Sequence, residues 1–272
     1  MSPPDVSPET AAAEPALARP GPRAALRPHP AMPAYYGEGL APRRAFLRQV
    51  FDDTAADYDR VESLLAWGSG RWYRREALLR AGLAAGMAAC DVGCGTGLVT
   101  REALAIVGER GSVLGVDPSP GMMNEAHLGE RAKMIEGRAE AIPRPDASFD
   151  FLVMGYALRH VDDVDASFTE FRRVLRPGAR VLVLEITRPE GAFARMLLKA
   201  YMHSVVPLLA WFVSRRSGTR RLWRYYWDTI EACIAPPLVL GALERAGFTD
   251  VRRHVELGIF SEYTATVPQP RP

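Results

Sequence analysis

Little in this chain is in excess. Its 272 residues hold only three cysteines, Cys90, Cys94 and Cys233. Three thiols build no disulfide framework, so a reducing compartment is expected. Cys90 and Cys94 flank one turn and no His or Cys cluster joins them at ligand spacing, so no metal is expected. Net charge is only +2, which lacks the basic footprint of a nucleic-acid binder. The apolar run at residues 205–213 is nine long, far short of the ~20 needed to span a bilayer. The N-terminus has no basic segment leading into an apolar run, so no secretory signal is read there. With 48% hydrophobic and 24% charged residues, the remainder suits one globular domain with an appendage.

Proline is abundant only at the start, where residues 1–44 hold 10 of the 22. Such a segment buries too little apolar surface to order itself, and 1–44 is expected as a disordered tail. Asp5, Glu9 and Glu14 argue against a transit peptide. Met32, close to the first foldable segment, is an alternative start. Residues 45–272 are expected to form the domain. Helical spacing begins near Arg44, with Phe46, Leu47, Val50 and Phe51, then Tyr58, Val61, Leu64 and Leu65. Strands are read at 86–92, 113–116, 133–136, 149–154 and 181–186, with helices at 122–128 and 168–175. This alternation implies parallel strands with right-handed crossovers, a doubly wound α/β sheet. A helix at 238–246 and strands at 251–257 and 259–267 follow, and their short connection makes the last pair antiparallel.

The run Asp91-Val92-Gly93-Cys94-Gly95-Thr96-Gly97 carries the chemistry. Glycines there allow positive φ and close approach of a ligand to the main chain. A dinucleotide fingerprint needs its third glycine at position 98, which is Leu98. The G-x-G-x-G spacing instead resembles the first motif of class I S-adenosylmethionine-dependent methyltransferases. That resemblance implies a mostly parallel seven-stranded sheet closed by an antiparallel C-terminal strand. It makes S-adenosylmethionine the expected cofactor, cradled by Asp91, Gly93, Gly95, Thr96 and Gly97. Asp91 is expected to complement its ammonium group. Asp117, 20 residues past Gly97, is placed to accept the ribose hydroxyls, and Met122 to pack on the adenine. Arg138 stands where the resembled enzymes usually carry Asp or Asn. A guanidinium has only donors, so adenine recognition is expected from the backbone of Arg138 and Ala139. Gly155 is expected to let the cofactor approach closely.

The opening Val50-Phe51-Asp52-Asp53-Thr54-Ala55-Ala56-Asp57-Tyr58-Asp59 is similar to that of the ubiquinone/menaquinone biosynthesis C-methyltransferases. Ala139-Glu140-Ala141-Ile142-Pro143, Leu158-Arg159 and Val174-Leu175-Arg176-Pro177-Gly178 continue the match. The implied reaction is C-methylation of a lipid-like quinol. Tyr156, Arg159 and His160 are the expected catalytic residues, with Tyr58 and Asp57 helping to close the substrate site. Arginine stays protonated and is no general base, but it can stabilise a phenolate. His160 titrates near neutrality when unperturbed. It departs from the family's usual Asn, which leaves the acceptor less specified than the donor. Another small aromatic acceptor, or a cofactor-binding protein without catalysis, are the competing readings.

Between the fifth strand and the last helix, residues 188–236 form an apolar and aromatic insertion. Most of it reads as a core helix capping the sheet edge. A sharper expectation is an apolar lid beside a bilayer, flanked by Arg195, Lys199, Arg215 and Arg216. Cytoplasmic residence with peripheral contact at the inner membrane face follows from it. Oligomeric state is not read from the sequence.

Overall fold

The apolar runs that the sequence places between turns become the centre of one twisted sheet. The computed structural model describes residues 24–65, 70–129, 132–206 and 217–270. Strands β1 (Ala88–Val92), β2 (Ser112–Asp117), β3 (Ala132–Glu136), β4 (Phe149–Gly155), β5 (Leu175–Ile186), β6 (Thr249–Glu256) and β7 (Phe260–Thr266) lie in the order β3-β2-β1-β4-β5-β7-β6. β7 alone runs against its neighbours, inserted between β5 and β6. β1, β2 and β4 are each followed by a helix before the next strand, as crossover geometry demands, whereas β3 leads to β4 through a loop.

Helix α1 is the short turn Pro33–Tyr36, and α2 (Leu40–Leu65) and α3 (Gly70–Arg80) precede the sheet. α4 (Leu98–Val107), α5 (Pro120–Asn124), α6 (Val164–Val174), α7 (Ala192–Ala200), α8 (Ser217–Ala232) and α9 (Pro236–Arg245) follow. α3 and α4 cover one face of the sheet, around Phe151, Val153, Leu182 and Leu184. α6 and α9 cover the other, around Leu152, Phe168, Phe171 and Val183. A third, aromatic core joins α2 to α8 through Phe46, Val50, Tyr225, Tyr226 and Trp227.

Several expectations shift. Residues 24–44 are ordered rather than a tail: Leu26 O accepts from Val164 N–H, Pro28 O accepts from Ile234 N–H, and His29 is buried. The remaining tail, 1–23, lies outside the described residues. α5 is shorter than the expected 122–128, because Glu125 N–H and Ala126 N–H turn to carbonyls three residues back and tighten the end. α6 begins earlier than expected because Asp163 caps it, accepting from Asp165 and Ala166 N–H. In the insertion, α7 is no core helix and has no buried residue. Phe193 is 73% exposed, Met196 61% and Leu197 62%. Met202 and Val206, just beyond, do enter the aromatic core. Residues 207–216, which include most of the expected apolar run, lie outside the described residues. No helix among the described residues is long and apolar enough to cross a membrane.

Candidate active site

The strand order reverses at β1 and β4, and ligands of open α/β sheets bind beyond the carboxyl ends of strands at that point. A cavity of about 1170 Å³ opens there. Ligand pockets usually span about 300–1,000 Å³, so this one has room for a donor and an acceptor together.

Its floor is the glycine turn. Gly93, Gly95 and Gly97 all have positive φ (72°, 53° and 80°), a region that L side chains rarely adopt. A Cβ on Gly93 would also overlap that of Ala157. Gly93, Gly95 and Thr96 line the cavity; Gly97 does not, because it turns beneath Leu128 as the N-cap of α4. Asp91 also lies behind the wall, fully buried under the turn. Thr100 Oγ1 donates to its Oδ2 at 2.6 Å, while Oδ1 has no partner. Burial pushes its pKa up to about 7. An orphaned carboxylate oxygen beneath the turn fits an ammonium group.

Asp117, at the end of β2, lines the cavity. It accepts Gly95 N–H and Ser119 N–H, each at 2.8 Å, one on each oxygen. Carboxylate oxygens carry about four lone-pair sites between them, so capacity for a diol remains. Burial outweighs these bonds and lifts its pKa to about 6. Met122, Arg138, Ala139 and Gly155 also face the cavity. The Arg138 guanidinium is engaged by Glu140 and Asp162, each at 3.2 Å, and its carbonyl accepts Ala141 N–H at 3.0 Å.

α2 closes over both loops. Its Asp52 Oδ1 accepts from Ser119 Oγ and, at 2.9 Å, from Gly121 N–H. Its Asp59 accepts from Thr96 Oγ1. Neither acid was singled out in the sequence, although their seven-residue spacing puts them on one helix face. Asp57, expected at the substrate, is half-buried and not part of the cavity wall; Tyr58 is.

The acceptor end is mostly apolar, with Leu47, Phe51, Ile186, Leu198, Met202 and Phe260 in its wall. Tyr156 enters it from a left-handed backbone, φ 59°, held by its N–H to Leu184 O at 2.8 Å. Such strain in an aromatic residue concentrates at functional sites. The Tyr58 and Tyr226 hydroxyls are 2.7 Å apart. Tyr226, missed in the sequence, comes from α8. Arg159 does not reach the cavity. Its one-turn helix aims it back into the core, where it pairs with Glu185 of β5. Its guanidinium lies 4.9 Å from the centre of the Tyr226 ring. Burial pulls the Arg159 pKa down, but Glu185 and Tyr226 outweigh that and keep it charged. His160 does line the cavity, yet burial and then Arg159 push its pKa well below 6.5. The expected titration near neutrality is therefore lost.

No group of three or more metal-ligating side chains occurs among the described residues. Residues 41–266 match the ubiE/COQ5 methyltransferase family. The ubiquinone/menaquinone biosynthesis C-methyltransferase UbiE of Hahella chejuensis is 31% identical over 212 residues, 75% of this chain and 84% of that protein. The demethylmenaquinone methyltransferase of Symbiobacterium thermophilum is 30% identical over 227 residues, 80% and 90% respectively. Among solved structures, a SAM-dependent methyltransferase from Aquifex aeolicus superposes with a TM-score of 0.55 at 21% identity, covering 77% of this chain and 97% of that one.

Proposed function

Because the chain belongs to the ubiE/COQ5 methyltransferase family, we propose that this S-adenosylmethionine-dependent methyltransferase methylates a ring carbon of a lipid-like quinol. The observation that carries the reading is one large cavity, polar over the glycine turn and apolar towards α7 and α8. The donor supplies an electrophilic methyl group on a sulfonium. Transfer forms a carbon–carbon bond and breaks the sulfur–carbon bond, whose electron pair stays on sulfur. The ring carbon's proton then leaves and restores aromaticity.

The chain's own residues prepare that step. Asp91 would offset the donor's ammonium charge from behind the turn, Asp117 would accept its ribose hydroxyls, and Thr96 holds the turn through Asp59. Gly93, Gly95 and Gly155 let the donor sit against the backbone; Met122 and Ala139 wall the adenine, with Arg138 held aside by its acids. Gly97 shapes the turn from behind. A quinol carbon becomes nucleophilic when the neighbouring hydroxyl gives up its proton. The charge of Arg159, buried behind Tyr226, favours that phenolate from a region of low dielectric. Arg159 thus acts as a positioning and electrostatic residue. Tyr58, Tyr156 and His160 line the cavity where the acceptor ring would sit, while Asp57 lies outside its wall.

The reading extends to the membrane's inner face, where the acceptor dissolves. Phe193, Met196 and Leu197 project from α7, and Arg195 and Lys199 of the same helix are also exposed. The same helix contributes Leu198 to the cavity wall, and an exposed apolar patch of this kind marks an interaction surface. Incubation with methyl-labelled donor and a panel of reduced, demethylated quinols tests the chemistry. Label on a ring carbon is expected; no transfer to any quinol by protein that binds donor normally would refute it. Co-sedimentation with anionic vesicles tests the surface, and a serine triple variant at 193, 196 and 197 that still pellets with them would refute it.

A further inference from the structure

Residues 24–36 lie before residue 41, where the family match begins, and the reaction described above gives them no role. They are nonetheless tied down along their length. Leu26 O accepts from Val164 N–H at 2.9 Å and so fills one of the open donors at the start of α6. Pro28 O accepts from Ile234 N–H at 2.8 Å, just past the end of α8. His29 is buried, its ring edge-on to that of Tyr225. Tyr35 grips α8 at three points. Its hydroxyl donates to Asp228, its carbonyl accepts from Arg221 Nη2 at 2.8 Å, and its ring meets Tyr225 edge-on at 5.2 Å. Arg221, Tyr225 and Asp228 are spaced four and three residues apart, which puts them on one helix face. Tyr226 and Ile230, four apart on the next stripe, line the cavity. Phe46 of α2 closes the packing, 5.2 Å from Tyr225 and 4.9 Å from the Arg221 guanidinium. The rotation of α8 about its own axis is therefore fixed from the side away from the cavity.

We propose that residues 26–36 are a strap that sets the rotation of α8 and so the shape of the acceptor end, with Tyr35 as its positioning residue. The inference rests on the reading of the cavity's apolar end as the acceptor site. Tyr226 stands within 2.7 Å of the Tyr58 hydroxyl only while α8 keeps this rotation. Small misplacements of a wall that orients substrate cost far more rate than stability. The donor end has its own clamps in Asp52 and Asp59, which the strap does not touch. Loss of the strap should thus be felt by the acceptor and not by the donor.

Three variants of the full chain test this, read by kinetics and by hydrogen exchange. Tyr35→Ala removes the ring and the hydroxyl, and Tyr35→Phe the hydroxyl alone. Asp228→Asn keeps an acceptor for that hydroxyl and should stay near wild type. In Tyr35→Ala, amides of residues 222–232 should exchange about tenfold faster, while those of α4 keep the wild-type rate. With a demethylated quinol its kcat/KM for the acceptor should fall about tenfold, mainly through KM. Its donor Kd, read by calorimetry, should stay within about twofold. Tyr35→Phe should show about threefold effects in the same two readouts, and carries the test if the alanine variant does not fold. Wild-type exchange in α8 of either Tyr35 variant would overturn the proposal. So would faster exchange with unchanged acceptor kcat/KM, or a donor Kd that weakens in step with it. If the wild type methylates no quinol, the functional reading falls, and exchange in α8 still decides whether the strap holds that helix.

Discussion

Asp91→Asn separates the electrostatic cost of the glycine turn from its use. Asp91 is fully buried, and burial lifts its pKa from 3.8 to about 7. The folded protein thus holds this proton more tightly than the unfolded chain does. Linkage then fixes the sign: stability falls as pH climbs from about 4 to about 7 and stays low above it. A shift of this size corresponds to about 4 kcal/mol at most. Asparagine resembles the protonated acid and can still accept from Thr100, so the variant escapes that loss. In the donor-free state Asp91→Asn should match the wild type near pH 4 and melt higher at pH 8, on the order of 5–10 °C. Donor binding should show the reverse. An ammonium over the orphaned Oδ1 needs the ionised form, so wild-type affinity should rise between pH 5.5 and 7.5. Below pH 7 the slope should approach about tenfold per unit, with release of up to one proton. Asp117, lifted to about 6, adds a second and lower inflection that the variant keeps. Calorimetry in buffers of different ionisation enthalpy reads both affinity and proton release. An unchanged pH slope in Asp91→Asn, or equal melting points at pH 8, would refute the reasoning.

Glu185→Gln leaves the Arg159 guanidinium buried without its counter-charge, and should destabilise the fold by about 3–5 kcal/mol; a urea midpoint equal to wild type would contradict this. Asp52→Ala removes the acceptor of Ser119 Oγ and Gly121 N–H. Donor Kd should weaken about tenfold with circular dichroism unchanged, and a donor Kd equal to wild type would count against the clamp. Gly93→Ala drives a Cβ into Ala157 at a φ of 72°; both melting temperature and donor affinity should drop, and a variant that binds donor normally would show the turn to be more tolerant than argued.

The middle of the sheet was legible because β2, β4 and residues 181–184 of β5 are buried on both faces and read as largely apolar runs. The glycine turn was legible for a related reason: only glycine fits three positive φ values in five residues. Direction of side chains was less accessible. Arg159 and His160 are adjacent and both were expected at the acceptor, yet one turn of helix sends the first to Glu185 and the second to the cavity. Glu185 lies 26 residues away, and no local pattern announces the pairing. Tyr226 escaped notice because its partner Tyr58 is 168 residues distant. Asp57 was named with Tyr58, whereas the helical period puts Asp52 and Asp59 together on one face. Order in residues 24–44 was hidden by proline content, since carbonyls such as Leu26 O and Pro28 O need no particular side chain to pair with the domain.

Helix α2 touches the Thr96 turn, the Ser119 turn and the aromatic core of α8 at once. The sheet could assemble without it, since every strand pairing is made elsewhere. Mechanically the helix is a single lever laid across two compartments. Lifting it to admit one ligand also loosens the wall that meets the other. Asp52 and Asp59 belong to this one helix, so a displacement at either turn would be felt at the other.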